Sequence, residues 1–144
     1  MEIMKMSREH IEECVDLYID VFTKAPWNDT YESRGQVSRF FRNHMANNYF
    51  VGYVLKGQGG IIALSIGMKK PWINGAEYYI DQFCVRTDLQ GKGVGSCFLK
   101  LIEDEIRKEQ MNAIILSTER GFPSEQFYLK NGFKPVDGLI TFIK

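Results

Sequence analysis

Cysteine and histidine are scarce. The 144-residue chain has three cysteines, Cys14, Cys84 and Cys97, and two histidines, His10 and His44. They form no CxxC pair and no Cys/His cluster, which argues against the usual zinc frameworks, so no metal site is expected. An odd number of widely spaced cysteines points to reduced, packed thiols in a cytoplasmic protein. An excess of one charge is also lacking, since Lys+Arg and Asp+Glu both number 18. That argues against nucleic-acid binding through bulk basic charge. No apolar run is long enough to cross a bilayer, and the opening MEIMKMSREHIEEC lacks a signal-peptide stretch. The expectation is a cytoplasmic protein with no membrane and no nucleic-acid partner.

What is present is an ordinary globular composition, 44% hydrophobic and 25% charged. The length suits a single domain, 1–144, able to bury a core without staples. Met1–Met6 alternates like a strand. Ser7 can cap a helix with Ile11, Val15, Tyr18, Ile19 and Phe22 on one face, stopped before Pro26. Thr30 is the expected cap of a second helix carrying Val37, Phe40, Phe41 and Met45 inward. Tyr49–Leu55 and Ile61–Met68 flank a Gly-rich turn and read as a hairpin. Pro71–Gly75 reads as a loop and Glu77–Val85 as a strand. Val94–Gln110 reads as an amphipathic helix with Cys97, Phe98, Leu101, Ile102 and Ile106 inward. Ala113–Ser117 is a short buried strand, and Pro123–Lys130 a helix with Pro in its first turn. Phe133–Val136 and Leu139–Ile143 close the chain as a strand pair. An antiparallel meander followed by βαβ order means an α/β fold: a mixed, mostly antiparallel sheet of six to seven strands with about four helices on its faces.

The stretch Gln90-Gly91-Lys92-Gly93-Val94-Gly95-Ser96 joins a strand to a helix. It is not a Walker loop, because GxxxxGK[ST] is absent. It is not a Rossmann turn either, because Ser96 follows where a further glycine would be needed. Glycines here let consecutive N–H groups turn toward one anion, and the helix N-terminus adds partial positive charge. A pyrophosphate suits such a cradle. A Gly-rich turn that binds nothing is the competing reading of the glycines alone.

Together with AIILSTE and QFYLKNGFKPV, this region resembles the GNAT family of N-acetyltransferases. Gln90, Gly93 and Gly95 meet that family's Q/R-x-x-G-x-G/A motif. Phe127-Tyr128 and Gly132-Phe133 meet its aromatic and "GF" ending. The specific likeness covers roughly Glu77 to Val136. The resemblance implies acetyl-CoA as cosubstrate, its pyrophosphate held by backbone N–H groups of Gly91, Lys92, Gly93, Gly95 and Ser96, within the segment Gln90 to Ser96 that includes Val94. It implies a pantetheine arm lying along the backbone of Phe83, Cys84 and Val85 like an added strand. Many relatives carry Asn where this chain has Gly121 and Ala where it has Ser124, so the usual Asn contact to the cosubstrate is missing or replaced.

Acetyl transfer to an amine needs a base. A free alkyl amine titrates near ~10.4, so its neutral form lies about 4–5 kcal/mol uphill at pH 7. The departing thiolate also gains from an acid. Tyr128 matches the tyrosine that many relatives place beside the cosubstrate sulfur, and a phenol is a donor at neutral pH. Strand alternation puts Glu77, Tyr79, Asp81, Phe83 and Val85 on one face. Asp81 is a carboxylate in an apolar strand, costly unless it borders a polar cleft. Its Ile80-Asp81-Gln82 context is similar to that of aminoglycoside 6'-N-acetyltransferase-like members. Glu119 and Glu77 are the alternatives for the base. Cys84 has no histidine near it in sequence, which disfavours a covalent route, and nothing marks His10 or His44 as catalytic.

Trp27, Tyr31, Asp29, Glu32, Trp72 and Glu77 fall in segments expected around the acceptor. Aromatic faces with carboxylates suit a cationic amine, either a small aminoglycoside- or polyamine-like molecule or a lysine side chain. Trp27 after Pro26 also reads as a simple core plug. Two functions stay open: a direct-transfer N-acetyltransferase, and a non-catalytic acyl-CoA-binding module. Dimerisation through strands near the C-terminus is a habit of the family that the resemblance brings with it.

Overall fold

The computed structural model describes residues 1–144. Five strands and four α-helices follow in the order β1 (Glu2–Lys5), α1 (Ile11–Phe22), α2 (Arg34–Met45), β2 (Phe50–Gly57), β3 (Gly60–Trp72), β4 (Gly75–Val85), α3 (Val94–Lys108), β5 (Ala113–Leu116) and α4 (Pro123–Lys130). Short 3-10 turns precede α1 and α3. The strands form one mixed sheet in chain order. β1 to β4 pair antiparallel, and β5 joins β4 in parallel. The α3 crossover between β4 and β5 is what a parallel pair requires.

The sheet is apolar on both faces because helices cover both. One face packs Val54, Leu64, Ile66 and Cys84 against Cys14, Val15, Tyr18 and Phe22 of α1 and Val37 and Phe41 of α2. The other packs Tyr53, Leu55, Tyr78, Ile80 and Val85 against Phe98, Leu99, Ile102 and Ile106 of α3. Within that second core the Tyr78 hydroxyl is satisfied by Ser65 Oγ at 2.7 Å and by Val51 O at 3.3 Å.

Several boundaries differ from expectation. Ser33, not Thr30, caps α2, its Oγ accepting from the Gln36 N–H at 3.1 Å. The expected loop at Pro71–Gly75 shrinks to a two-residue turn, because β3 and β4 stay paired out to Trp72 and Gly75. In α3 the inward face holds Leu99 in place of Cys97, which is exposed. The sheet has five strands, not six to seven. Phe133–Val136 and Leu139–Ile143 form no strand, for no edge in this chain pairs with them.

Candidate active site

The site begins where β4 and β5 part. β4 pairs with β5 only over Glu77–Ile80. Beyond Ile80, Asp81–Val85 keeps β3 on one side and has no strand on the other. Ladder alternation decides which groups face that gap. The Arg86 N–H donates to Ile62 O at 2.8 Å, so two residues back Cys84 is bonded to β3 in turn. Phe83 and Val85 therefore present their backbone groups to the open side. Cys84 drops out of the expected backbone contacts. Its thiol lies in the α1 core, where burial pushes its pKa well up. Cys14 of the same core is pushed up to about 12 by burial. Both thiols are poor nucleophiles.

The five residues that simple alternation put on one face are split: Asp81 points to α2, whereas Phe83 and Val85 face α3. Ile66 pairs with Gln82 and Gly67 with Ile80, which leaves Asp81 as the extra residue of a β-bulge. The bulge flips the pleat. Tyr78 and Ile80 before it, and Phe83 and Val85 after it, all face the α3 side. Gly67 is what permits this. A Cβ there would sit 1.8 Å from Tyr79 O. A bulge changes which side chains share a face, and here it separates the Asp81 carboxylate from Phe83 and Val85. The carboxylate meets His44 of α2, with His44 Nε2 2.8 Å from Asp81 Oδ2. That hydrogen bond is the main reason the Asp81 carboxyl is held below its ordinary range, against the opposing effect of burial. His44 was not marked by the sequence, where it lies 37 residues from Asp81. Its position near the end of an amphipathic helix was the only available signal.

At the far end of the gap, Gly91 and Gly93 adopt left-handed conformations, with φ of 74° and 83°. Gly93 is the N-cap of α3. The N–H groups of Gly91 through Ser96 make no hydrogen bond within the chain. A side chain at Gly91 or Gly93 would meet no atom within 4 Å, so the backbone lies open there. Gly95 instead lies against α4, where a Cβ would sit 2.9 Å from the Phe127 ring. Gln90 Nε2 donates to Val85 O at 2.9 Å and ties the turn to the strand end. Free donors at the positive end of a helix fit a pyrophosphate.

Between the parted strands and α1 lies a cleft of about 310 Å³. Asp81, Phe83, Glu119, Tyr128 and Trp27 all line it, joined by Ser124, noted in the sequence only as a departure from the family, and by Gln82, Ser117 and Thr118, which were given no role there. Tyr128 stands between Phe83, Phe127 and Phe133, with ring centroids 6.4, 5.2 and 5.2 Å away. Burial pushes its pKa up, so the phenol keeps its proton across the neutral range. Its hydroxyl has no partner within the chain. Trp27 packs edge-on to Phe22 and Phe122, at 5.4 and 5.0 Å, and so both plugs the core and walls the cleft. Beside it, the loop at Gly121 is held by the Gly121 N–H donating to Glu125 Oε1 at 2.7 Å, and Thr118 Oγ1 and Ser124 Oγ are 2.7 Å apart.

Of the six residues expected around the acceptor only Trp27 lines the cleft; Asp29, Tyr31, Glu32, Trp72 and Glu77 do not. Tyr31 packs on Tyr18 at 5.9 Å and donates to Asp29 Oδ2 at 3.3 Å, outside the cleft. Glu77 lies beyond the bulge, near the β3–β4 turn, in a separate hollow with Trp72 and Asn112. Its Oε2 is buried without a hydrogen-bond partner.

A profile of the acetyltransferase (GNAT) family matches residues 11–133. No curated protein sequence matches significantly. Solved structures share the fold at low identity. An aminoglycoside antibiotic 6'-N-acetyltransferase, AAC(6')-IG from Acinetobacter haemolyticus, superposes with a TM-score of 0.75 at 13% identity, over 100% of this chain and 98% of its own. AAC(6')-Iy in complex with the bisubstrate analogue CoA-S-monomethyl-acetylneamine has a TM-score of 0.74 at 13% identity, over 99% and 97%. A predicted acetyltransferase with acetyl-CoA from Clostridium acetobutylicum has a TM-score of 0.72 at 19% identity, over 99% and 95%.

Proposed function

The chain belongs to the acetyltransferase (GNAT) family, and from that premise we propose that it transfers acetyl from acetyl-CoA directly to a primary amine of a small cationic molecule, aminoglycoside- or polyamine-like. The observation that carries this is the single cleft holding Asp81 and Tyr128 at the gap between β4 and β5. Acetyl-CoA supplies the thioester. The N–H groups of Gly91 to Ser96 bind its pyrophosphate, and the open backbone of Phe83 and the Val85 N–H bind its pantetheine arm. Asp81, with Glu119 and the face of Trp27, holds the ammonium form of the acceptor.

The amine nitrogen attacks the acetyl carbonyl carbon. The C–N bond forms, the C–S bond breaks, and the Tyr128 hydroxyl hydrogen-bonds the sulfur as it takes on negative charge. The proton leaving nitrogen goes to Asp81 or to water beside it. A carboxyl held below its usual range is a weak base. The bound ammonium therefore loses one proton to water before attack, which frees its lone pair, and a second proton leaves after C–N bond formation, when the nitrogen has become far more acidic. The Tyr128 proton is retained at neutral pH, as this role requires.

A lysine side chain is the second acceptor class. Thiol release from acetyl-CoA against aminoglycosides, polyamines, amino acids and lysine peptides tests the proposal. Turnover of the small cationic amines is expected. Failure of every amine, in protein shown by calorimetry to bind acetyl-CoA, would favour a non-catalytic acyl-CoA-binding module.

The proposal extends to a homodimer and to the cytoplasm. Residues 134–144 form no regular element and expose Leu139, Ile140, Phe142 and Ile143, the last at 99%. β5 has no neighbour on its outer side. An apolar tail and an open sheet edge on one chain suit pairing between two copies. Three free thiols suit a reducing compartment.

A further inference from the structure

Asp81 has a weakness as an acceptor-binding carboxylate. As the extra residue of a bulge it has no cross-strand partner in β3, between Ile80 paired with Gly67 and Gln82 paired with Ile66. The pleat therefore does not set its direction. Its side chain is also part-exposed, at 37%, so packing alone leaves it free to swing. Something else must aim it.

His44 meets that need. It lies in the last turn of α2, a helix that is itself firmly held. Val37 and Phe41 bury its inner face, Ser33 caps its start, and Arg34 ties it to α1 through Glu12 Oε2 at 2.7 Å and through Asp16. The imidazole packs edge-on against Phe40, with ring centroids 4.9 Å apart, which limits its rotation. Its Nε2 then reaches Asp81 Oδ2 at 2.8 Å. One carboxylate oxygen is engaged and the other is left for a ligand.

We infer that His44 is a positioning residue for the acceptor site, donating its Nε2–H to Asp81 Oδ2 so that Oδ1 faces the incoming ammonium. The inference deepens the proposed function and rests on its assignment of the cleft to an amine. α2 thereby becomes part of the acceptor site without touching the acceptor. The other titratable groups of the cleft are Glu119, from the loop after β5, and Tyr128 of α4. Tyr128 keeps its proton and adds no charge. His44 is the main group that favours the carboxylate form, with a smaller contribution from Gln82.

The test uses the full chain and three variants: His44→Phe, His44→Gln and Asp81→Asn. Phe keeps the ring packing on Phe40 and removes the donor. Gln places an N–H near the position of Nε2. Neamine and spermidine serve as amine probes. Carboxyl carbon NMR, with Asp81 assigned by its loss in Asp81→Asn, follows the titration of that group directly. His44→Phe is expected to move the Asp81 titration to higher pH and to lower kcat/KM for the better amine roughly tenfold or more, the scale of a lost hydrogen bond to a charged group. The KM for acetyl-CoA should stay within about twofold, which also reports that the fold is intact. His44→Gln should restore most of both effects.

An Asp81 titration unmoved by His44→Phe would overturn the inference, as would a His44→Gln variant no better than His44→Phe. Loss of amine turnover in Asp81→Asn with no effect of His44→Phe would overturn it while leaving the proposed function standing. Full turnover in Asp81→Asn would remove Asp81 from the reaction, and the role of His44 with it.

Discussion

Tyr128 and Asp81 are opposites in how their surroundings act on them. Aromatic burial pushes the Tyr128 pKa up, and a hydrogen bond from His44 pulls the Asp81 pKa down. Each is thereby locked in one protonation state at neutral pH, the phenol protonated and the carboxyl ionised. In the proposed reaction Tyr128→Phe removes the donor to the leaving sulfur, and steady-state kinetics should show kcat falling roughly tenfold or more. The acetyl-CoA KM should hardly move, since the cradle is untouched. An unchanged kcat would exclude Tyr128 from the chemistry. Asp81 also makes a stability prediction. Its folded pKa lies below the unfolded value, so its contribution is present above the unfolded pKa near ~3.9 and is lost as pH falls through the folded one. Thermal melts of Asp81→Asn should therefore differ from the parent at neutral pH and converge with it in acid. The gap will be small, because the carboxylate is part-exposed.

At the scale of elements, two glycines decide where side chains and ligands go. Gly67 lets β3 pass under the bulge, with Tyr79 O 1.8 Å from where a Cβ would be. No rotamer change relieves a backbone clash, so Gly67→Ala must push β4 away or undo the bulge. A loss of about 1–3 kcal/mol is expected from overpacking of this kind. It should be accompanied by loss of amine turnover, because Asp81 would be re-aimed. Denaturant melts and the thiol-release assay check the two effects. Gly93 differs, since its surroundings are open and only its left-handed conformation is demanding. Gly93→Val should leave the sheet intact and raise the acetyl-CoA KM, because the N–H groups it orders would turn away. The helix and strand pattern was readable along most of the chain, since one buried face imposes a helical period on α1 and α3, and β2, buried on both faces, reads as a nearly continuous apolar run. The bulge was not readable. It arises from pairing with β3, and a local period of two cannot report a residue inserted between partners.

For the whole molecule, the open feature is the C-terminal end. Five large apolar side chains, Val136, Leu139, Ile140, Phe142 and Ile143, are exposed within the last nine residues. Such a density of apolar surface marks an interaction site. In the proposed homodimer it meets the second copy. Light scattering should then give twice the chain mass for the parent. A Phe142→Glu, Ile143→Glu double variant should shift the population toward one chain, with the folded core unaltered by circular dichroism. A parent that runs as a single chain at micromolar concentration would remove the dimer.

The amino-acid sequence by itself determined the alternation of strand and helix, the two apolar helix faces that sandwich the sheet, and the glycine turn that opens α3. These follow from periodicity and from backbone conformations that only certain residues adopt, which are local properties. Placing Tyr128, Asp81, Glu119 and Trp27 around one cleft was decided by tertiary structure, because β4 and β5 separate only once both are paired at their other end. Tertiary structure alone also joined His44 to Asp81, excluded Glu77 and Tyr31 from the cleft, and turned the Cys84 backbone toward β3. Each of those depends on which residue faces which across a ladder, and that register is set by partners far away in the chain.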